Sequence, residues 1–268
     1  MKYMTFNSSC SFAGVANMLA AYGIDAGDRA IALGMKLPWM FAKETEGYLA
    51  GAMLQTAAWF DLFLRPLGLA MHEEVLEKSA VAAYLRQQKT AMLGLRVDAR
   101  SKHAVVYVGS ADQTLHFLNN KWAEDPAPAQ LALTEAELYE RLDAPCVVAT
   151  LEPAAPLFAD FRPLLRQSLE ILEQMHRDIV DFCAVPHSAE EVFAQMNPLF
   201  RPLLVDGIAM AELMDEPELQ AQLTAVQHAF LAALRSGPET LTLCDCLPMD
   251  TLQSAVTIYA DQIRRRLA

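Results

Sequence analysis

The hydrophobic periodicity of this chain changes near residues 151–158, and this change constrains the fold more than any other feature. Before it, short apolar runs typical of strands occur at residues 91–97, 103–109, 114–119 and 146–151. After it, apolar residues recur three and four positions apart, which is typical of amphipathic helices. The prolines of the segment LEPAAPLF break both patterns. We therefore predict an α+β domain over residues 1–152 and an all-helical domain over residues 153–268.

The distribution of charge supports the same boundary and restricts the partners. The 268 residues carry a formal net charge of −12, of which −4 falls in residues 1–152 and −8 in residues 153–268. Such a surface repels the phosphates of nucleic acids at long range. We therefore expect no nucleic-acid partner.

Segment composition and cysteine usage predict where the protein resides. No segment has the roughly 18 uninterrupted apolar residues that a membrane-spanning helix requires, and the N-terminus lacks the basic start of a secretory signal. The five cysteines are odd in number and irregularly spaced, which favours free thiols over a disulfide framework. We therefore expect a soluble, cytoplasmic protein with no membrane partner.

One cysteine stands at the beginning of a predicted helix. Cys10 follows Asn7, Ser8 and Ser9, which are all favourable N-cap residues, and Gly23 is a natural C-terminal stop. In the first turn of a helix, unpaired backbone N–H groups and the positive end of the dipole favour a thiolate, which is the reactive form of cysteine. The alternative is a buried structural cysteine, and position alone does not decide between the two.

A predicted hairpin supplies two further polar side chains. Residues 102–122 contain two strand-like runs around the turn-forming GSADQ, and a symmetric hairpin centred on residue 111 pairs His103 with Asn119 on one face. The same register places His116 on the other face. A cysteine at a helix start, a histidine at a strand start and an asparagine on the next strand form a nucleophile, base and orienter set.

These segments resemble a known group of enzymes. The stretch from Cys10 to Gly23, with its Tyr-Gly, resembles the start of the papain-like bacteriocin-leader peptidases, and HAVVYVG followed by LHFLNN resembles their hairpin with His and Asp or Asn. The segment YGIDAGDRAIALGMKLPWMF is similar to the N-terminal domain of the butirosin-biosynthesis acyltransferase family. The resemblance covers the first domain and implies a papain-like fold with an antiparallel sheet. It implies Cys10 as nucleophile, His103 as base and then acid, and Asn119 as the residue that orients the imidazole.

The chain departs from the peptidase pattern at one position. These peptidases usually carry an oxyanion-donating Gln six residues before the cysteine, and here that position is Met4, which cannot donate a hydrogen bond. The oxyanion would then need the Cys10 backbone N–H and a second donor, for which Asn7 is the candidate. Loss of one donor costs on the order of 10² to 10³ in rate. This loss weakens amide hydrolysis more than reaction with an activated thioester.

Three functions from different classes follow. The first, ranked slightly ahead, is a biosynthetic acyltransferase that forms a Cys10 thioester and passes the acyl group to an amine or alcohol. Its donor would be a carrier-protein or coenzyme A thioester. The second is a papain-like cysteine peptidase or amidase. The third is an inactive papain-like binding module, which is favoured if Cys10 and His103 do not hydrogen-bond.

The remaining expectations concern the substrate and its surroundings. We expect a small-molecule or carrier-bound acyl substrate, no metal site and no resident cofactor, and the sequence allows a homodimer. Trp39, Phe41 and Tyr48 are candidates for lining the substrate pocket, with packing in the core as the alternative reading.

Overall fold

The structure is a computed structural model that describes residues 1–97, 102–236 and 240–268. The helices are α1 (Cys10–Ala21), α2 (Asp28–Gly34), α3 (Ala57–Leu64), α4 (Lys78–Leu85), α5 (Glu135–Arg141), α6 (Arg162–Cys183), α7 (Ala189–Gln195), α8 (Ile208–Leu213), α9 (Pro217–Arg235) and α10 (Met249–Leu267). The strands are β1 (Phe41–Glu44), β2 (Gly47–Ala50), β3 (Leu69–Leu76), β4 (Ala91–Arg96), β5 (Lys102–Ala111), β6 (Thr114–Asn119), β7 (Gln130–Leu133), β8 (Cys146–Pro153), β9 (Pro186–Ser188) and β10 (Thr240–Thr242). Among these described segments, no helix is long and apolar enough to cross a membrane.

The chain divides into two compact units. Unit 1 comprises Met1–Met35 and Gln55–Ala159, and unit 2 comprises Lys36–Leu54 and Asp160–Ala268. The predicted division at residues 152 and 153 therefore differs from the observed one, because Lys36–Leu54 was expected in the first domain. The strand pair β1 and β2 lies in this segment, so it contributes sheet to unit 2.

Unit 1 is built on a six-stranded antiparallel sheet. The strand order is β3-β8-β4-β5-β6-β7. A buried apolar cluster, which includes Leu93, Val105, Phe117 and Val148, joins one face of this sheet to α4 and α5. Helix α1 packs against β4 and β5. The mixture of helices with an antiparallel sheet that was predicted for the first domain is confirmed.

Helix α1 begins at Cys10, as the sequence predicts, and is buried over almost its whole length. Its residues from Ser11 to Leu19 are all buried. At its C-terminal end, Gly23 has a φ of 77°, a left-handed conformation that favours glycine. The N–H groups of Gly23 and Ile24 donate to the carbonyls of Ala20 and Leu19 at 3.1 Å, which closes the helix. Cys10, which is partly exposed, is therefore the first residue of a helix that is buried from its second residue to Leu19.

The β5–β6 hairpin forms, but its register differs from the predicted one. The turn lies at Asp112 and Gln113, whose φ values of 48° and 68° suit a two-residue hairpin turn. This turn, centred between residues 112 and 113 instead of on residue 111, shifts the pairing by three residues. A bulge between Tyr107 and Gly109 reduces the shift to two, so that Val105, rather than His103, lies opposite Asn119. The prediction of direct pairing between His103 and Asn119 is therefore wrong by two residues. A shift of two positions keeps each side chain on its face of the sheet.

Unit 2 is mostly helical but is not all-helical. It contains two small antiparallel sheets, β1 with β2 and β9 with β10. The first is held by α6 and α10, because the Phe41 backbone N–H donates to Ser168 Oγ at 3.1 Å and the Phe41 and Tyr259 rings lie 5.0 Å apart. The prediction of an all-helical second domain is therefore corrected.

Candidate active site

A cavity of about 330 Å³ in unit 1 brings together two of the predicted site residues. Cys10 and His103 both line it. The other lining residues come from the beginning of α1, from Gln55 and from four strands: Ser11, Glu73, Met92, Leu93, Gly94, Lys102, Ala104, Val147 and Ala149. A partly exposed thiol and an imidazole therefore open onto the same concave surface.

The start of α1 leaves its backbone donors available. Ser9 occupies the N-cap position, but its side chain does not cap the helix. Its hydroxyl instead donates to Asp28 Oδ2 at 2.9 Å. The N–H groups of a helix's first turn have no acceptor within the helix. The N–H of Cys10 can therefore donate to an anion that forms beside the thiol.

Asp28 holds the loop that precedes Cys10. This carboxylate is buried, with 1% of its surface exposed. Besides the Ser9 hydroxyl, it accepts the Thr5 backbone N–H at 2.6 Å and the Thr5 hydroxyl at 2.8 Å. One side chain thus joins the beginning of α2 to the loop over residues 5–9. The sequence analysis did not single out Asp28, since a lone aspartate carries no pattern.

The side chains of His103 and Asn119 are in contact. The His103 Nδ1 lies 3.1 Å from Asn119 Oδ1, across the diagonal of the β5–β6 pair. Asn119 is buried, and its Nδ2 donates to the Pro128 carbonyl at 3.1 Å, which fixes the direction of the amide. Because Oδ1 can only accept, the proton of a neutral imidazole is assigned to Nδ1. The Nε2 atom then has a free lone pair that can act as a base.

The thiol and the imidazole are not hydrogen-bonded to each other. Among the contacts of the described residues, none joins the Cys10 Sγ to the His103 ring. A chain of buried amides does connect their elements: Asn17 Nδ2 donates to Asn120 Oδ1 at 3.0 Å, and Asn120 Nδ2 donates to the Ala104 carbonyl at 2.8 Å. The positions of α1 and β5 are therefore fixed relative to each other.

Gln55 is a side-chain amide in this cavity that the sequence analysis missed. The Ser11 hydroxyl donates to Gln55 Oε1 at 2.6 Å, so the amide is anchored to the residue that follows Cys10. Over the described parts of the chain, no protein group accepts a hydrogen bond from the Gln55 Nε2. Gln55 follows the segment that belongs to unit 2, and it lies 44 positions from Ser11. No local sequence pattern could have associated it with the cysteine.

The predicted oxyanion candidate lies elsewhere. Asn7 is exposed and does not line the cavity. Met4, at the position where the resembling peptidases carry Gln, is buried, and its backbone N–H donates to the Lys121 carbonyl at 3.0 Å. A donor other than these two is therefore needed to complement the Cys10 N–H.

The aromatic candidates for the substrate pocket belong to unit 2. Trp39 and Phe41 are buried in its core. The Tyr48 hydroxyl donates to Asp178, and its ring lines a separate cavity of about 440 Å³ in the same unit. None of the three lines the cavity that contains Cys10.

The other four cysteines differ in exposure. Burial raises the pKa of Cys183 to about 12, and burial also raises the pKa of Cys146. Cys244 and Cys246 are exposed. Within the described residues, no group of three or more His, Cys, Asp or Glu side chains is placed to bind a metal ion.

Part of this chain is similar to a solved structure. No protein-family model matches the chain, and no curated protein matches it. A solved structure of the peptidase domain of Streptococcus ComA, a bifunctional ABC transporter involved in a quorum-sensing pathway, is similar at 14% sequence identity and a TM-score of 0.38. The match covers 57% of this chain and 96% of that domain. A TM-score of this size does not establish a common fold, so the site stands on its own geometry.

Proposed function

We propose that this protein is a papain-like cysteine hydrolase that cleaves an amide or peptide bond, with Cys10 as the nucleophile. The observation that carries the proposal is the anchored amide of Gln55 beside the start of α1. The expected lack of a second oxyanion donor was the reason to rank acyl transfer from a thioester above amide hydrolysis. The Gln55 Nε2 can supply that donor, so amide hydrolysis becomes the favoured reaction.

The proposed reaction has two steps. The His103 Nε2 takes the thiol proton of Cys10, the thiolate attacks the amide carbonyl, and the resulting oxyanion accepts hydrogen bonds from the Cys10 backbone N–H and the Gln55 Nε2. The C–N bond breaks as His103, protonated on Nε2, gives its proton to the leaving amine. His103 then takes a proton from water, the hydroxide attacks the Cys10 thioester, and the acid leaves with regeneration of the thiol. Asn119 holds the imidazole through Nδ1 in both steps.

A second candidate is a binding module without activity. The lack of a hydrogen bond between Cys10 and His103 favours it. Catalytic hydrogen bonds are often long in unliganded enzymes and shorten when substrate binds, so this geometry is compatible with both candidates. The two candidates predict different chemistry at Cys10, which an experiment can measure.

The test uses the full chain carrying Cys244→Ser and Cys246→Ser, so that Cys10 is the accessible thiol. A quenched fluorescent library of random decapeptides is the substrate, and intact mass after iodoacetamide treatment reports alkylation of Cys10. We expect cleavage that is abolished by Cys10→Ala, and alkylation that is slower in His103→Ala.

Gln55→Ala should lower kcat/KM by about 10² to 10³ without slowing alkylation, because the oxyanion forms only with an acyl substrate. Gln87→Ala, on the loop that follows α4, is the matched control. The hydrolase is refuted if no peptide is cleaved and if His103→Ala leaves the alkylation rate of Cys10 unchanged. That result would favour the binding module instead.

A further inference from the structure

We propose that Glu73 selects a lysine or arginine side chain of the substrate, about four residues from the cleaved bond. The substrate class is then a polypeptide segment that carries a basic residue at this distance. The inference rests on the proposed function, since it assigns a specificity role within the same cavity.

The floor of the cavity crosses four neighbouring strands. Directly opposed residues share a face of a sheet, and Ala149 of β8 lies opposite both Glu73 of β3 and Met92 of β4. Gly94 of β4 in turn lies opposite Ala104 of β5. The lining residues on this face therefore run from the strand that carries His103 to the strand that carries Glu73.

Two charged residues line this floor, and they differ in whether they have an ion-pair partner. Lys102 lines the cavity near His103, and its Nζ pairs with Asp143 at 3.4 Å. Glu73, at the far strand, has no ion-pair or hydrogen-bond partner among the described residues. Its neighbour Glu74 pairs with His72 at 3.3 Å, and alternation puts both of them on the opposite face of β3. Glu73 is therefore a carboxylate without an ion-pair partner among the described residues, at the end of the floor farthest from Lys102.

Two exposed valines lie beside this carboxylate. Val75 follows Glu73 by two positions on the same face, and it is paired with Val147, which also lines the cavity. Val75 is 66% exposed and Val147 is 47% exposed. Lysine and arginine side chains pack their methylene stems on apolar surface while the charged end reaches a polar partner. The valine pair with Glu73 offers both parts of such a site.

The position of the basic residue follows from strand spacing. Three strand intervals separate β5 from β3 in the sheet. At about 4.8 Å per interval, Glu73 lies about 14 Å across the sheet from the strand that carries His103. An extended peptide rises about 3.3 Å per residue, so this distance corresponds to about four residues.

The experiment measures binding first, in the full chain with Cys10→Ala, so that its outcome does not depend on catalysis. Each pool of fluorescein-labelled nonapeptides has one position fixed as arginine, as norleucine or as glutamate. Fluorescence anisotropy gives the Kd of each pool. We expect the arginine pool to bind about tenfold more tightly than the norleucine pool at one position, with a smaller difference at high salt.

Glu73→Gln should remove this preference and Glu73→Lys should reverse it towards glutamate. Glu74→Gln, which changes the same charge on the opposite face of β3, is the matched control and should bind like the parent. The inference is overturned if the arginine and norleucine pools bind equally, or if Glu74→Gln has the same effect as Glu73→Gln. Cleavage by the Cys10-containing protein is then measured separately. A Glu73-dependent preference without cleavage, together with an alkylation rate of Cys10 that His103→Ala leaves unchanged, would refute the hydrolase and leave Glu73 as the residue that selects a basic peptide for binding.

Discussion

Replacing Asp28 with alanine should lower the free energy of unfolding by about 4 kcal/mol. The Ser9 hydroxyl is fully buried and would lose its acceptor, which costs about 2 kcal/mol for an unsatisfied buried donor. The Thr5 backbone N–H and hydroxyl would lose one bond each, at about 1 kcal/mol per bond. Total stabilities of about 5–15 kcal/mol are usual for proteins, so the loss is a large fraction of the total.

Urea denaturation followed by circular dichroism measures this loss. Asp25→Ala is the control, because Asp25 is an exposed carboxylate only three positions away whose partner is Lys2 at the surface. We expect the control to unfold like the parent, since surface ion pairs contribute little. A loss below about 1 kcal/mol in Asp28→Ala would refute the hydrogen-bond accounting.

The same variant tests whether Asp28 positions the nucleophile. Its contacts order the residues immediately before Cys10, so Asp28→Ala should change the rate at which iodoacetamide alkylates Cys10 under conditions where the protein stays folded. Asp25→Ala should leave this rate unchanged. If stability falls in Asp28→Ala but the alkylation rate does not change, Asp28 supports the fold without positioning the thiol.

Three further predictions follow from the structure. Asn119→Ala should lower kcat/KM for peptide cleavage by about tenfold to a hundredfold. This loss is part of the rate increase of about 10² to 10⁴ that a positioned acid–base group supplies. An unchanged pH–rate profile would contradict an orienting role. In the folded protein at pH 8, iodoacetamide should leave Cys183 and Cys146 unlabelled, because burial raises the pKa of both thiols. Both thiols should become labelled when urea unfolds the protein. Labelling of either thiol before unfolding would contradict its burial. Burial, opposed by the Arg201 ion pair at 3.2 Å, raises the pKa of Asp206 to about 6. Between about pH 4 and pH 6 the native state therefore holds a proton that the unfolded chain has released, so stability should fall by about 3 kcal/mol as pH rises, and this slope should disappear in Asp206→Asn.

Local patterns in the sequence predicted the elements that carry the candidate site. The polar residues before Cys10 and the glycine at position 23 predicted the beginning and the end of α1, because capping depends on neighbouring residues only. The β5–β6 hairpin was predicted from alternation and turn residues. Its register was not, because the turn centres between residues 112 and 113 instead of on residue 111, and the bulge at Val108 then shifts the pairing back by one residue. The contact between His103 and Asn119 survives the error, since a shift of two residues preserves the face.

Contacts between distant parts of the chain were beyond these patterns. Lys36–Leu54 was assigned to the first domain because nothing in its composition marks it as different. In the structure this segment joins unit 2, which removes Trp39, Phe41 and Tyr48 from the cavity of Cys10. The chain returns to unit 1 at Gln55, which then contacts Ser11. Both the loss of the aromatic candidates and the gain of Gln55 follow from this one excursion.

Ser9 shows how an element can be predicted correctly for an incomplete reason. Its preference for the N-cap position helped to predict where α1 begins, and a capping hydroxyl would stabilise the helix by about 1 kcal/mol. In the structure that hydroxyl binds Asp28, so the stabilisation comes from a buried carboxylate 19 residues away. The consequence is chemical as well as structural. A side-chain cap would occupy the N–H of the second or third residue of the helix, whereas this arrangement leaves these donors, next to the Cys10 N–H, open to a developing oxyanion. The same substitution at Asp28 therefore tests both the stability of the helix start and the reactivity that the proposed hydrolysis requires.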